Sequence, residues 1–235
     1  MVTGGVVRLT GSGLGCPTWP KCTAESLITT PEMGIHGIIE WANRMLTFVL
    51  ALVAILTFVT IVRLGKQLRK GLFAPALILG LGIPAQAVLG GFTVLTKLNP
   101  WLVGAHFVLS GYMIATASVL VFRAIKTEHT PVSPVMYSFA NGIAIVGTIA
   151  VLIGVLVTGA GPHSGDSQSV RNGLDLEVWQ HFHSYPAYLM LTLVIMQLGL
   201  MLRRDGKAFG SFQSKVLTGL LAVTVLQAIV GVAQA

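Results

Sequence analysis

"IHGIIEWANRMLTFVLALVAILTFVTIV", residues 35–62, carries two charged side chains, Glu40 and Arg44, and both lie near its start. Beyond Arg44 the run has no charge through Val62. A helix needs about 20 predominantly apolar residues to cross the ~30 Å hydrocarbon core of a bilayer. The stretch therefore predicts a transmembrane helix with a polar patch toward one end. Five further runs of spanning length are expected at roughly 72–96, 101–122, 135–158, 177–202 and 212–235. Composition points the same way. Of 235 residues 54% are hydrophobic and 10% charged, with a mean hydropathy of +0.80, against about 25% charged in a soluble domain. The expected fold is an all-α integral membrane protein.

The net charge of +7 raises the question of nucleic acid. Its distribution answers it. Arg63, Lys66, Arg69 and Lys70 share one loop, Arg123 and Lys126 the next but one, and Arg203, Arg204, Lys207 and Lys215 the next but one again. Cations on alternate loops mark the cytoplasmic side, and Glu25, Glu32, Asp166, Asp175 and Glu177 fall on the other. The charge is a topology signal, so no nucleic acid partner is expected. The partner is the lipid bilayer, and the expected location is the cell (plasma) membrane.

This orientation puts "RLTGSGLGCPTWPKC", residues 8–22, on the extracytoplasmic side. Disulfides form and persist there, so Cys16 and Cys22 are expected to be bonded, with Pro17 and Pro20 stiffening the ring. Two free thiols or half of a metal site are the alternatives. A metal would call for further Cys or His nearby. "TGSGLG" is no phosphate loop, because no Lys-Ser/Thr follows it.

An internal repeat is visible. "QAVLGG" at 86–91 is echoed by "QAIVGV" at 227–232, and "VVRLTGSG" at 6–13 by "VLVTGAG" at 155–161. A similar shift sets "EWANR" (40–44) against "WQHFHS" (179–184), with Asn43 over His183. The chain thus reads as two pseudo-symmetric four-helix bundles, residues 1–128 and 129–235, with six full spans present and residues 1–7 as the end of another helix. Both ends read as cut. His106 follows Gln86 by 20 residues, so its twin is expected at about position 247, past the last residue. Without it the second half would be incompletely loaded.

Ionisable groups within a bilayer are costly and are functional by default. His36, Glu40 and Asn43 share a face of the second helix by their spacing. His106 lies at the corresponding depth of another helix, and His181 and His183 of a third. Histidines on facing helices of a bundle suit a heme held by imidazoles; the plainer reading is an interhelical hydrogen bond worth about 1 kcal/mol. Glu40 is either paired with Arg44 one turn away or used as an acid or base. Arg44 could instead bind a heme propionate. His163 falls in an outer loop and His129 on the cytoplasmic side, while Trp41, Trp101 and Trp179 sit where an aromatic belt would place them.

"VVRLTGSGLGCPTWPKC", "IIEWANR" and "AHFVLS" together resemble the heme A synthase family, across most of the chain. The resemblance implies eight helices in two homologous halves and oxidation of the C8 methyl of heme O to a formyl group, giving heme A. It implies a substrate heme in the first half and heme b in the second. Glu40 matches the family's catalytic glutamate, Cys16 and Cys22 its outer disulfide, and His106 and His183 iron ligands, with His181 the competing choice for the latter. Asn43 departs from the pattern, since many members read E-x-x-H-R there. His36 could replace the missing ligand from seven residues away, about 10 Å along the axis; otherwise the iron keeps an open position. Heme O synthase is implied as supplier of heme O, the electron donor is unidentified, and a homo-oligomer is possible. The alternative function is a diheme b-type cytochrome that carries electrons without chemistry on the heme. A transporter fits less well, because the polar residues cluster at the outer end rather than at midplane.

Overall fold

A computed structural model describes residues 1–125, 132–162, 165–167, 169–205 and 212–233. His129, His163, Lys126 and Lys207 lie outside these residues. Among the described residues the regular structure is helical: α1 (Val2–Leu9), α2 (Gly34–Arg63), α3 (Lys66–Arg69), α4 (Phe73–Leu95), α5 (Pro100–Ile125), α6 (Pro134–Ala160), α7 (Leu176–Asp205) and α8 (Phe212–Ala233), with a 3-10 turn, Pro31–Met33, leading into α2. Six are long and apolar enough to cross a membrane. They match the six expected runs to within a few residues, so the chain is an all-α, multi-pass membrane protein. Its large apolar side chains face outward, Phe48 at 69% exposure and Leu52 at 57%. A water-soluble monomer rarely tolerates such continuous apolar surface; hydrocarbon does.

The boundaries follow local chemistry. Pro100 and Pro134 open α5 and α6, where a missing N–H costs nothing and the fixed φ suits the first turn. Asn99 caps α5, its Oδ1 accepting from the Trp101 N–H at 3.0 Å. At the basic end, Arg123 donates to the Gly71 carbonyl at 2.9 Å and joins α5 to the turn before α4. Gly71 has φ +88°, in the left-handed region that favours glycine.

The chain forms two compact units: Met1–His129 with Thr158–Leu174, and Thr130–Val157 with Asp175–Ala235. In the first, α4 packs along both α2 and α5, and α1 lies on α2. Ile61, Ala76 and Leu120 form a small core at the basic end, flanked by Phe58 and Leu72. At the opposite end Lys97 and Leu98 take positive φ values of 51° and 60° between α4 and α5. Leu98 is 6% exposed, and its Cδ1 would lie 2.7 Å from a Cβ at Gly13 and 3.3 Å from one at Gly165. Gly13 also donates its N–H to the Gly165 carbonyl at 2.9 Å. The opening glycines are thus points of close backbone approach. At Gly15 a Cβ would stand 2.2 Å from the His36 carbonyl oxygen, a distance no side chain survives.

In the second unit α7 packs along α8. Gln197, 7% exposed, donates its Nε2 to the Met136 carbonyl at 3.2 Å and ties α7 to α6. A Cβ at Gly147 would meet Met190 Sδ at 3.1 Å.

Candidate functional site

Cys16 and Cys22 are bonded and buried, with Cα atoms 4.5 Å apart. Their loop lies on the first turns of α2, and Glu40 and Arg44 hold it there. Glu40 is 4% exposed. Its Oε2 accepts the Cys16 N–H at 2.6 Å, and its Oε1 accepts from Arg44 Nε at 3.1 Å and Nη2 at 2.5 Å. Arg44 also donates from Nη2 to the Cys16 carbonyl at 2.7 Å, and from Nη1 to those of Thr18 and Lys21 at 2.8 and 3.2 Å. A guanidinium has five N–H donors, and these contacts occupy all five. Of the two uses open to Arg44 in the sequence, the pairing with Glu40 is the one built here.

The loop docks on α4 as well. The Trp19 indole covers Gly91, where a Cβ would meet the ring at 2.4 Å. The neighbouring Gly90 receives a second ring, the imidazole of His106 from α5, whose Cε1 would lie 3.1 Å from a Cβ. The glycine doublet therefore seats an indole and an imidazole side by side. His106 is partly buried. Its Nδ1 is buried without a hydrogen-bond partner, whereas Nε2, also unpaired, is accessible. Asn43 is partly buried on the adjacent face of α2.

His36 sits apart from these groups. It is exposed, and its Nδ1 lies 2.9 Å from the Oγ of fully buried Ser12, which is 2.7 Å from Thr10 Oγ1. His36, Thr10, Leu14, Pro17, Met33 and Asp166 line an open cleft of about 630 Å³.

In the second unit the two competing histidines separate by helix phase. They stand about 200° apart around α7. His181 is exposed and turns its Nδ1 back to its own helix, 2.7 Å from the Glu177 carbonyl. His183 turns to α6: its Nδ1 lies 3.0 Å from the Ala150 carbonyl, and its Cε1 would lie 2.9 Å from a Cβ at Gly154. A carbonyl only accepts, so Nδ1 carries the proton and Nε2 keeps the lone pair. Iron-binding imidazoles are commonly oriented this way by a second hydrogen bond.

Among the described residues no three His, Cys, Asp or Glu side chains converge to cage a bare metal ion. The donor set is single imidazoles with an accessible Nε2. This fits iron that arrives with four nitrogens of its own, in a porphyrin. The sequence did not single out Ser12, Trp19, Gly90, Gly91 or Gly154 for these contacts. The adjacency of a Gly-Gly pair to a Gln in "QAVLGG" was the available signal, and it served only as a repeat marker.

A family profile described as cytochrome oxidase assembly protein matches residues 1–235. The chain belongs to that family. Among curated relatives of this assembly family, a protein named heme A synthase from Bacillus pumilus is 33% identical, over 68% of this chain and 52% of its own. Others of that name are 26% identical in Geobacillus kaustophilus, covering 58% of this chain and 42% of the relative, and 22% identical in Bartonella henselae, covering 83% and 69%. The chain spans about half the length of the first curated relatives it matches. No solved structure matches it.

Proposed function

We propose that this cytochrome oxidase assembly protein converts heme O to heme A, oxidising the C8 methyl group to a formyl. Support comes from the relatives' shared name and, above all, from one observation: a buried glutamate, Glu40, fixed by an arginine and a backbone N–H beneath a disulfide-closed loop. The relatives' shared name is why the diheme cytochrome reading ranks second.

In this reading residues 1–128 take the substrate and residues 129–235 hold heme b. His106 would hold the iron of heme O through Nε2, and Asn43 on α2 would supply no strong ligand of its own. His183 is the ligand in the second half, and heme b supplies electron transfer when bound. Glu40 is held in place by Arg44 and the Cys16 N–H, so its role is to stabilise positive charge that develops beside the methyl, and to accept its proton. Arg44 acts through the loop it grips, and Trp19 seats that loop on α4 at Gly91. His36 belongs to the outer cleft, one turn and more from Glu40, and would meet only the polar edge of the substrate. The disulfide loop faces the extracytoplasmic side of the plasma membrane. Heme O arrives from heme O synthase.

The test is expression beside a source of heme O, followed by chromatography of the extracted hemes. Heme A is expected from the unmodified full-length protein, and heme O without heme A from its Glu40→Gln variant. Heme A from both would favour a role for Glu40 in folding alone. Neither heme from either would remove the proposal.

A further inference from the structure

Two polar atoms at the α4/α5 contact are buried and unpaired: Nδ1 of His106 and Oε1 of Gln86. They are complementary, because an imidazole Nδ1 can carry a proton and an amide oxygen only accepts. The orientation of the Gln86 amide is fixed by its other end. Nε2 donates to the His106 carbonyl at 3.2 Å and to the Ser110 hydroxyl, and Ser110 Oγ donates to the same carbonyl at 3.0 Å. A carbonyl cannot donate, so the nitrogen must face it and the oxygen must face away. Gln86 lies one helical turn before Gly90, the residue that seats the His106 ring. Buried polar groups are nearly always paired. The two residues already touch, since Gln86 Nε2 reaches the His106 main chain across the α4/α5 contact.

We propose that Gln86 is the positioning residue of His106: its amide oxygen takes the Nδ1 proton, after a small rotation of ring and amide or through one bridging water. Nε2 is then left with its lone pair toward the heme slot. The inference rests on the reading of His106 as a heme ligand. It also assigns to a side chain in the first unit the task that the Ala150 carbonyl performs for His183 in the second. A main-chain acceptor holds its imidazole rigidly. A side-chain acceptor can be exchanged, and its strength can be tuned by substitution.

The experiment uses the purified full chain carrying His183→Ala, so that only the first unit reports, and ferric protoheme as the probe. Binding is followed by absorption titration. The iron–imidazole stretching band of the reduced complex is then read by resonance Raman spectroscopy. Gln86→Leu should weaken protoheme binding about tenfold or more, the usual cost of losing a ligand's orienting partner, and lower the stretching frequency. Gln86→Glu gives up the donation to the His106 carbonyl and offers a carboxylate, a stronger acceptor, to the Ser110 hydroxyl and to Nδ1. It should restore binding and move the frequency above that of the unmodified chain. A defect of folding alone would not send the two variants in opposite directions. Unchanged affinity and frequency in both, or shifts of the same sign, would overturn the assignment. If His106→Ala binds protoheme as well as its parent does, the site itself is wrong, and the failure lies with the functional reading rather than with Gln86.

Discussion

Glu40, Asn43 and Arg44 on α2 correspond, at a shift of 140, to Gln180, His183 and Ser184 on α7. The first unit has a charged pair on this helix turn and no imidazole; the second has an imidazole and no charge. Packing follows the same division. Around Glu40 three hydrogen bonds converge from a loop and an arginine. Around His183 a glycine makes room and a carbonyl fixes the ring. On the proposed function, matching turns of the two halves would be specialised differently, one toward reactivity and the other toward holding iron. A resident cofactor needs a rigid ligand.

That contrast can be broken most forcefully at the ligands. His183→Ala should abolish the resident heme signal in reduced-minus-oxidised spectra and leave heme O binding in place. His106→Ala should do the reverse. Loss of both signals in either variant would erase the division between units. Next in size is Arg44→Met, which leaves the Glu40 carboxylate buried and uncompensated. Breaking one side of a buried pair costs about 3–5 kcal/mol, and thermal unfolding in detergent should show it. Gln180→Ala, at the matching place in the second unit, is exposed only in part and should be nearly silent. The smallest test compares the two glycine seats. Gly154→Ala must displace the ring and break a 3.0 Å hydrogen bond, and should weaken heme b binding about 10–100-fold. Gly90→Ala meets its ring at 3.1 Å rather than 2.9 Å, so it displaces the ring less and its effect on heme O binding should stay below that. Equal effects would mean that the two imidazoles are held alike.

The spans were legible because a bilayer forbids most alternatives: a run that long and that apolar has to be a helix. The Glu40–Arg44 pair was legible too, since four residues on a helix is one turn. Its connection to the disulfide was not. Arg44 grips carbonyl oxygens, and the main chain of residues 16–21 has no signature in the letters of the sequence. The choice between His181 and His183 needed a neighbour, because two residues turn a helix by more than half a circle and nothing in α7 alone marks which side meets α6. Glycines were the hardest. Gly13, Gly15, Gly90 and Gly91 are equivalent as letters, yet one is crossed by Leu98, one by a carbonyl, one by an imidazole and one by an indole.

Within the loop the Arg44 guanidinium reads main-chain oxygens alone, and it is indifferent to the side chains that hang from them. The segment between the two cysteines can therefore drift in identity at Lys21 more readily than at Thr18, whose hydroxyl also donates to the Lys21 carbonyl that Arg44 reaches. It cannot drift in length. One residue inserted or deleted there would carry those oxygens off the fork, so this loop is constrained as a measured span of backbone rather than as a string of particular amino acids.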